Sequence, residues 1–435
     1  LVKRKLEPGF QAFGHVYGIA DVVLPGHYEI DTEGKALLTI LEISGDLSSI
    51  VREGIEVATP ELLQFRGLDL SAAFSELRSI GRAINFSSRN TELRFTVGRT
   101  VATSADLSYE EVNGVSSTLE GFPGWAEVTA IEQNLILSDD GTEPPTVCLK
   151  AQAKDLVDIG TRFNVSATTG FTAPKLDPYQ LEYVYRNRTA LRTETSELVT
   201  WNEHMQVHRM MQDLLCLVYN YPCELSLSDA YRKDDQPELD TVSEEVYLWH
   251  EVHYKNFGRT RHVEPRKDFS KAKPLFLLSD TADGAVATWL DEFEKWSRPT
   301  WIAVETIFQP YLAAESRLIQ IGVALEALGY AIWLYEENGG VMPAGRRPSA
   351  SGYFRRVAEK LPFSDLDISS ERTAKDWAEA FNETYIGCKH ADNPLPDGLE
   401  AHRRAEQGLA VIRGWLAKKL DISDEILIMN KNSLI

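Results

Sequence analysis

Between Tyr311 and Tyr335 apolar residues fall on two lines at helical spacing, a pattern that few folds absorb. Leu318, Ile321, Leu325, Leu328 and Ile332 form one stripe; Ile319, Val323, Tyr330 and Trp333 form a second. A helix apolar over that much of its circumference must be covered on several sides, so it is the central member of a helical domain. Glu326 interrupts the second stripe, three residues after Val323 and four before Tyr330. If it points inward, its carboxylate needs a cation or a hydrogen-bond donor. The other reading is a tilt to a solvated edge or a local pair, and periodicity does not separate the two.

The first half of the chain has a different period. Leu93, Phe95 and Val97 alternate with Arg94 and Thr96, the pattern of a half-buried strand. Ala36 to Ile43 is a more continuous apolar run, as in a central strand. Val16 to Leu24, Asn134 to Leu137 and Leu181 to Tyr185 read as further strands, with turn residues such as Pro25-Gly26 between them. Leu70 to Ile84 stands apart, with helical character. Many short strands predict a sandwich or an open barrel.

At Thr200 the regime changes. Thr200 and Glu203 have capping-box spacing, and a helix follows to about Tyr219, before Pro222. His204 and His208 lie one turn apart on it. A metal pair would need a third ligand, so they read as two polar residues on a helix face. A strand is expected over Glu245 to Tyr254. Then Lys255, Arg259, Arg261, Arg266, Lys267, Lys271 and Lys273 form the most basic segment, read as a solvated interdomain connection rather than a phosphate-facing loop. Beyond Asp283 the pattern is helical: Val286 to Ser297, punctuation at Pro299 and Pro310, the double-striped helix, a flexible loop from Gly339 to Ser351, and a short helix over Tyr353 to Leu361. Ser370 to Asn393 and Gly398 to Leu420 follow, and the tail Asp421 to Ile435 reads as a strand, a docking arm or coil. The fold class is α+β and multidomain: a β-rich, sandwich-like region over residues 1–199, a helix-plus-strand extension over 200–280 and an all-α domain over 281–435.

Composition limits what this architecture does. A length of 435 residues implies two or three domains. A net charge of -20 excludes a generic nucleic-acid-binding coat, so any RNA contact rests on a local basic patch. Four cysteines without a CxxC pair argue against a zinc site or a disulfide framework and suit a reducing, cytoplasmic compartment. No apolar run reaches membrane-spanning length and no signal-peptide pattern opens the chain. It begins on Leu1 rather than Met, as a trimmed chain would.

The Ser370 to Asn393 stretch carries the chemistry. Trp377, Phe381, Tyr385 and Cys388 recur at spacings of four, four and three and should face the helix that holds Glu326. Asn382, Ile386 and His390 fall on an adjacent line. Lys389 and Asp392 flank His390, and Pro394 and Pro396 end the helix. A helix C-terminus favours a protonated imidazole, so a titratable group and a cation meet where a domain can expose them.

Four stretches, in this order, carry a resemblance: TWNEHMQVHRMMQDLLCLVYNYPCELSL, PLFLLSDTADGAVATWLDEF, ESRLIQIGVALEALGYAI and YIGCKHADN. The chain resembles the ApeA-like family of bacterial anti-phage proteins, a β-rich N-terminal part followed by a HEPN helical domain. The resemblance implies a metal-independent ribonuclease with no cofactor, acting on RNA and paired through its HEPN domain as a dimer. In such a site a His activates the ribose 2′-OH or protonates the leaving oxygen, and an Arg separated from it by four to six intervening residues binds the scissile phosphate. That position falls on Glu383, Thr384 or Tyr385, none of them basic. Arg372, the nearest upstream Arg, lies eighteen residues before His390, about 27 Å along a helix. The expected catalytic set is therefore His390, Lys389, Tyr385 and Glu326, with RNA held by Arg346, Arg347, Arg355, Arg356, Arg403 or Arg404. Two readings stay open, an RNA-cleaving effector and a non-catalytic RNA- or nucleotide-binding or dimerisation protein. A third, carbohydrate binding by the β-rich part, rests on aromatics such as Trp125.

Overall fold

The computed structural model describes residues 6–19, 22–42, 59–85, 90–136, 146–152, 157–160, 163–177, 182–235, 248–255, 258–261, 268–345 and 347–434. The chain forms two compact units that interleave along the sequence. The first comprises Leu1–Thr118, Arg192–Gln206 and Leu225–Gly258; the second comprises Leu119–Leu191, Val207–Glu224 and Arg259–Ile435.

The first unit is built on a closed barrel. Its strands are β1 (Gln11–Ile19), β2 (Val22–Ile30), β3 (Ala36–Glu42), β4 (Leu62–Gly67), β5 (Ser71–Asn85) and β6 (Asn90–Val101). They run β6-β3-β2-β1-β4-β5, and β5 pairs back onto β6, so the sheet has no free edge there. Leu93, Phe95 and Val97 all point into its core, as their alternation predicts. Tyr28 stacks on Phe74 at 4.8 Å, and its hydroxyl is bonded to Thr100 Oγ1 at 2.9 Å.

Three expectations change here. The sandwich or open barrel is a closed barrel with added strands. Leu70 to Ile84 is the strand β5, not a helix: Phe74 and Leu77 have helical spacing, but pairing to β4 on one side and β6 on the other outweighs local preference. Val16–Ile19 and Val22–Leu24 lie on two strands that pair antiparallel, not on one, and Pro25-Gly26 lies inside β2 rather than in a turn. Pairing to β3 begins only at Gly26, so Pro25 sits where β2 has one neighbour and its missing N–H costs little.

Strand β7 (Glu111–Leu119), residues 192–200 of a longer strand, β8 (Leu225–Tyr231) and β9 (His250–Tyr254) extend the barrel sheet, with β9 pairing on Arg99 to Val101 of β6. Ile43, Leu137, Leu181, Glu245, Arg266 and Lys267 lie outside the described residues. Helix α1 (Trp201–Tyr219) follows, with Glu203 bonded to the Thr200 backbone N–H and hydroxyl. His204 and His208 are fully buried rather than set on a polar face. His204 Nδ1 meets the Thr193 hydroxyl at 2.8 Å and Nε2 faces the Val112 carbonyl at 3.4 Å, a neutral ring filling a polar slot. Burial pushes the His204 pKa down to about 4.

The second unit is largely helical: α2 (Ala285–Asp291), α3 (Phe293–Phe308), α4 (Ala314–Ala331, extended by a π turn over Ile332–Glu336), α5 (Ala350–Ala358), α6 (Ala374–Lys389), α7 (Gly398–Lys419) and α8 (Asp424–Met429). Helix α4 is the hub that its two stripes predict, packing on α3, α5, α6 and α7. It is long and apolar enough to cross a membrane, and its burial among these helices is that of a core helix. Pro299 lies within α3 instead of ending a helix, and the tail is a short helix capped by Ser423, not a strand or coil. Trp125 is fully buried, which removes the footing of the carbohydrate reading. In the basic segment Arg259 pairs with Asp213 and Glu305, and Arg261 pairs with Glu120 and Glu224. Burial raises the Asp213 carboxyl to about 6 against the pull of Arg259.

Arg413 of α7 is wholly buried and donates to three main-chain carbonyls: Leu217 at 2.5 Å, Val218 at 3.0 Å and Leu434 at 2.5 Å. The first two belong to the last turn of α1, whose carbonyls have no helical partner and carry the negative end of the dipole. One guanidinium thus joins α1, α7 and the tail.

Two outcomes are expected. Arg413→Lys replaces a three-way fork by a point donor and strands at least one buried carbonyl, at about 1–3 kcal/mol each; denaturant unfolding of the second unit should register that loss, and an unchanged midpoint would refute it. For His204 the folded pKa lies below the ordinary 6.5, so the unfolded chain binds more protons between these values and stability rises with pH there. Relative to His204→Gln, the wild type should lose about 3 kcal/mol as pH falls from about 6.5 to about 4, read from thermal melts; parallel melts would rule out a buried neutral ring.

Candidate functional site

Helix α6 begins at Thr373, whose hydroxyl accepts from the Asp376 N–H, and runs only to Lys389. Trp377, Phe381 and Tyr385 are buried, which seats the expected stripe against the helical core. Phe354 of α5 meets both Phe381 and Tyr385 edge-on, at 5.0 and 5.8 Å.

His390 departs from expectation. Its backbone is extended (φ -115, ψ 121), so it caps the helix instead of continuing the Asn382–Ile386 line. Its N–H bonds the Ile386 carbonyl at 3.0 Å, its own carbonyl accepts from Asn393 at 3.1 Å, and its side chain lies in an exposed position. The cause is local: two prolines follow closely, and Gly387 packs under the returning Pro394 and Pro396.

Glu326 is neither fully inward nor at a free edge. It is about a third exposed, and its Oε1 lies 3.8 Å from Lys389 Nζ. Lys389 Nζ donates to the Tyr385 hydroxyl at 3.1 Å and stands 5.0 Å from that ring. Burial raises the Tyr385 pKa, with Lys389 opposing and Glu326 reinforcing the shift. The Tyr385 bond raises Lys389, so the amine stays charged. At this distance and exposure the ion pair contributes little to stability, which leaves the cation free to turn toward an anion.

Two glycines that pattern reading passes over position this group. A Cβ on Gly322, four residues before Glu326, would run into the Tyr385 ring; one on Gly329, three residues after, would run into the Tyr353 backbone. Glu326 therefore stands between two close approaches, α6 on one side and α5 on the other. The available signal was the Gly322–Glu326–Gly329 spacing on a single helix face. Tyr330 and Tyr353, also not anticipated, meet edge-on beside it at 6.2 Å. Arg347, Arg356 and Glu326 all act electrostatically on the Tyr353 hydroxyl.

The remaining cations are placed unequally. Arg404 is buried, bidentate to Glu371 and bonded to Glu400 and Gln407, so its donors are used inside the fold. Arg403 pairs with Glu400, and Arg355 pairs with Glu359 at 2.6 Å. Arg356 contacts Glu337 at 3.2 Å and the Gly352 carbonyl at 3.0 Å. Arg347 is exposed, and Arg346 lies outside the described residues. Among the described residues no group of three or more His, Cys, Asp or Glu is placed to hold a metal ion. The structure brings together Glu326, Tyr385 and Lys389, and Arg347 and Arg356 act electrostatically on the neighbouring Tyr353.

Comparison with known families bears on the other part of the chain. The family model for ApeA N-terminal domain 1 matches residues 18–289, more than half of the chain. The chain belongs to the ApeA family. This is an antiviral defence-type family, and the ApeA match takes in the barrel strands from the end of β1, helix α1 and most of α2. It ends before Glu326, Tyr385, Lys389 and His390. No curated protein and no solved structure matches the chain.

Gly322→Ala tests the seating of the site. Helix propensity alone would make this change stabilising by about 1 kcal/mol. Displacing the Tyr385 ring should reverse the sign and give a net loss of about 1–3 kcal/mol. A gain in denaturant midpoint would mean that the ring does not rest on Gly322.

Proposed function

We propose that this ApeA-family chain is a bacterial anti-phage effector, and that its helical part is a HEPN-type endoribonuclease site centred on His390 and Lys389. The observation that carries the reading is the Lys389–Tyr385–Glu326 group at the end of α6, one residue from the exposed His390. It supplies a cation where the upstream Arg of such sites is absent. Lys389 would hold the scissile phosphate and stabilise its developing charge, while Tyr385 orients the amine and Glu326 attracts it. His390 would take the proton of the ribose 2′-OH. The 2′-oxygen then attacks phosphorus, the bond to the 5′-oxygen breaks, and the leaving oxygen is protonated. In a dimer with two such helix ends in one cleft, the partner's copy of this imidazole would deliver that proton. The products are a 2′,3′-cyclic phosphate and a 5′-OH. The four cysteines are free thiols, two of them buried, which suits the cytoplasm where phage RNA is made.

The absence of an Arg at Glu383, Thr384 or Tyr385 favours the second reading, an RNA-binding or dimerisation module without cleavage. Lysine is a point charge, not a planar fork, and grips a phosphate with less directional control. Purified protein incubated with RNA in chelator separates the two. Cleavage leaving cyclic phosphate ends, reduced roughly 10²–10⁴-fold by His390→Ala, supports the nuclease. Undiminished cleavage by the Ala variant would remove His390 from the mechanism, and intact RNA with retained binding would establish the non-catalytic module.

A further inference from the structure

Resting on that reading, we propose that Tyr330 and Tyr353, with Arg347, form a nucleotide subsite next to the Glu326–Lys389 group, and that its ligand is single-stranded RNA. The tyrosines sit on two helices, α4 and α5, and their rings meet at 6.2 Å and 78°. Both are half-buried, so part of each side chain stays accessible to solvent. Tyr330 lies one turn beyond Glu326 on α4, and Gly329 lets the Tyr353 backbone rest directly against that helix. The aromatic pair is therefore continuous with the carboxylate that holds Lys389.

Charge is disposed to match. Arg347 and Arg356 both act electrostatically on the Tyr353 hydroxyl, and Lys389 of α6 stands 3.8 Å from Glu326. Arg356 is engaged by Glu337, which orients it. Arg347 is exposed in a loop and has no ion-pair partner among the described residues. A strand of RNA has this alternation of phosphate, base and phosphate. Aromatic rings bind bases of any identity through their π faces, and cations beside them follow the backbone. A duplex hides its base faces and cannot use the tyrosine pair. In a chain of net charge -20 such local patches are the places where a polyanion can approach. The subsite selects unpaired RNA and sets which phosphate reaches Lys389.

The test uses full-length His390→Ala protein, which removes turnover, and a fluorescent single-stranded oligoribonucleotide followed by anisotropy. Tyr330→Leu and Tyr353→Leu should each weaken binding roughly 10-fold or more, whereas Tyr330→Phe and Tyr353→Phe, which keep the ring, should bind like the parent. Arg347→Ala should weaken binding and lower the slope of log affinity against log salt by about 0.7. A duplex of the same sequence should be unaffected by the tyrosine changes. Equal affinity in the Leu variants, or equal loss in the Phe variants, overturns the subsite, as does a shift in oligomeric state without a change in affinity, which would make the face a contact between copies. Cleavage by the wild type with ring-independent binding leaves the nuclease standing and the subsite refuted. Ring-dependent binding without any cleavage has the reverse meaning.

Discussion

The candidate site depends on two places where a helix backbone is approached too closely for any side chain. At Gly322 and Gly329 of α4 the Tyr385 ring and the Tyr353 backbone occupy the volume of the absent Cβ atoms. Everything chemical about the region follows from that. Glu326 lies between the two glycines on the same face, so the approach of α6 brings Tyr385 and Lys389 to its carboxylate, and the approach of α5 brings Tyr353 and the charges near it. A carboxylate on an otherwise apolar hub helix would be costly if left alone. Here it keeps a third of its surface in water and gains a cation, which is why one acid is tolerated in the stripe.

Other strongly perturbed groups lie elsewhere and belong to the fold. Arg413 is pushed down to about 9 by burial, opposed by the charge of Glu406, and its donors go to main-chain carbonyls. Asp213 and His204 are shifted by the same cause, and both are buried in hydrogen-bonded slots. Perturbed titration marks functional sites only when the group can reach a ligand, and these cannot. The Lys389 group shows milder shifts on an open face. Exposure combined with a positioned partner, not the size of the shift, distinguishes a site from a structural staple.

Legibility in the sequence followed the range of the interactions. Helical periodicity identified α4 as a hub, and period-two alternation placed β6, because each pattern reports burial of its own element. The same logic failed for β5, where pairing on both edges decided the conformation of residues whose spacing looks helical. It failed at His390, because the turn into Pro394 ends the helical frame one residue too early for the Asn382–Ile386 line to continue. Lys389 was found from its neighbourhood with His390, whereas Tyr330 and Tyr353 were missed, since their pairing is a contact across helices. The glycines were legible in principle, as small residues flanking an acid at helical spacing, and were overlooked because a stripe search counts only what is apolar and large.

On the proposed reading, a lysine does the work of the expected arginine, and that changes what the site asks of its surroundings. An arginine carries its own geometry, a planar fork that fixes a phosphate through two parallel bonds. A lysine ammonium has three rotatable donors and must be oriented from outside. Tyr385 supplies that orientation by accepting one of them at 3.1 Å, and Glu326 attracts the amine from 3.8 Å without locking it. A tighter carboxylate contact would hold the charge against any ligand; a weaker one would leave the side chain disordered on a helix end. The observed spacing lies between these limits. On the proposed reading, the arriving phosphate competes with Glu326 for one ammonium, so binding and release of Lys389 are coupled to the helix that forms the hub of the domain.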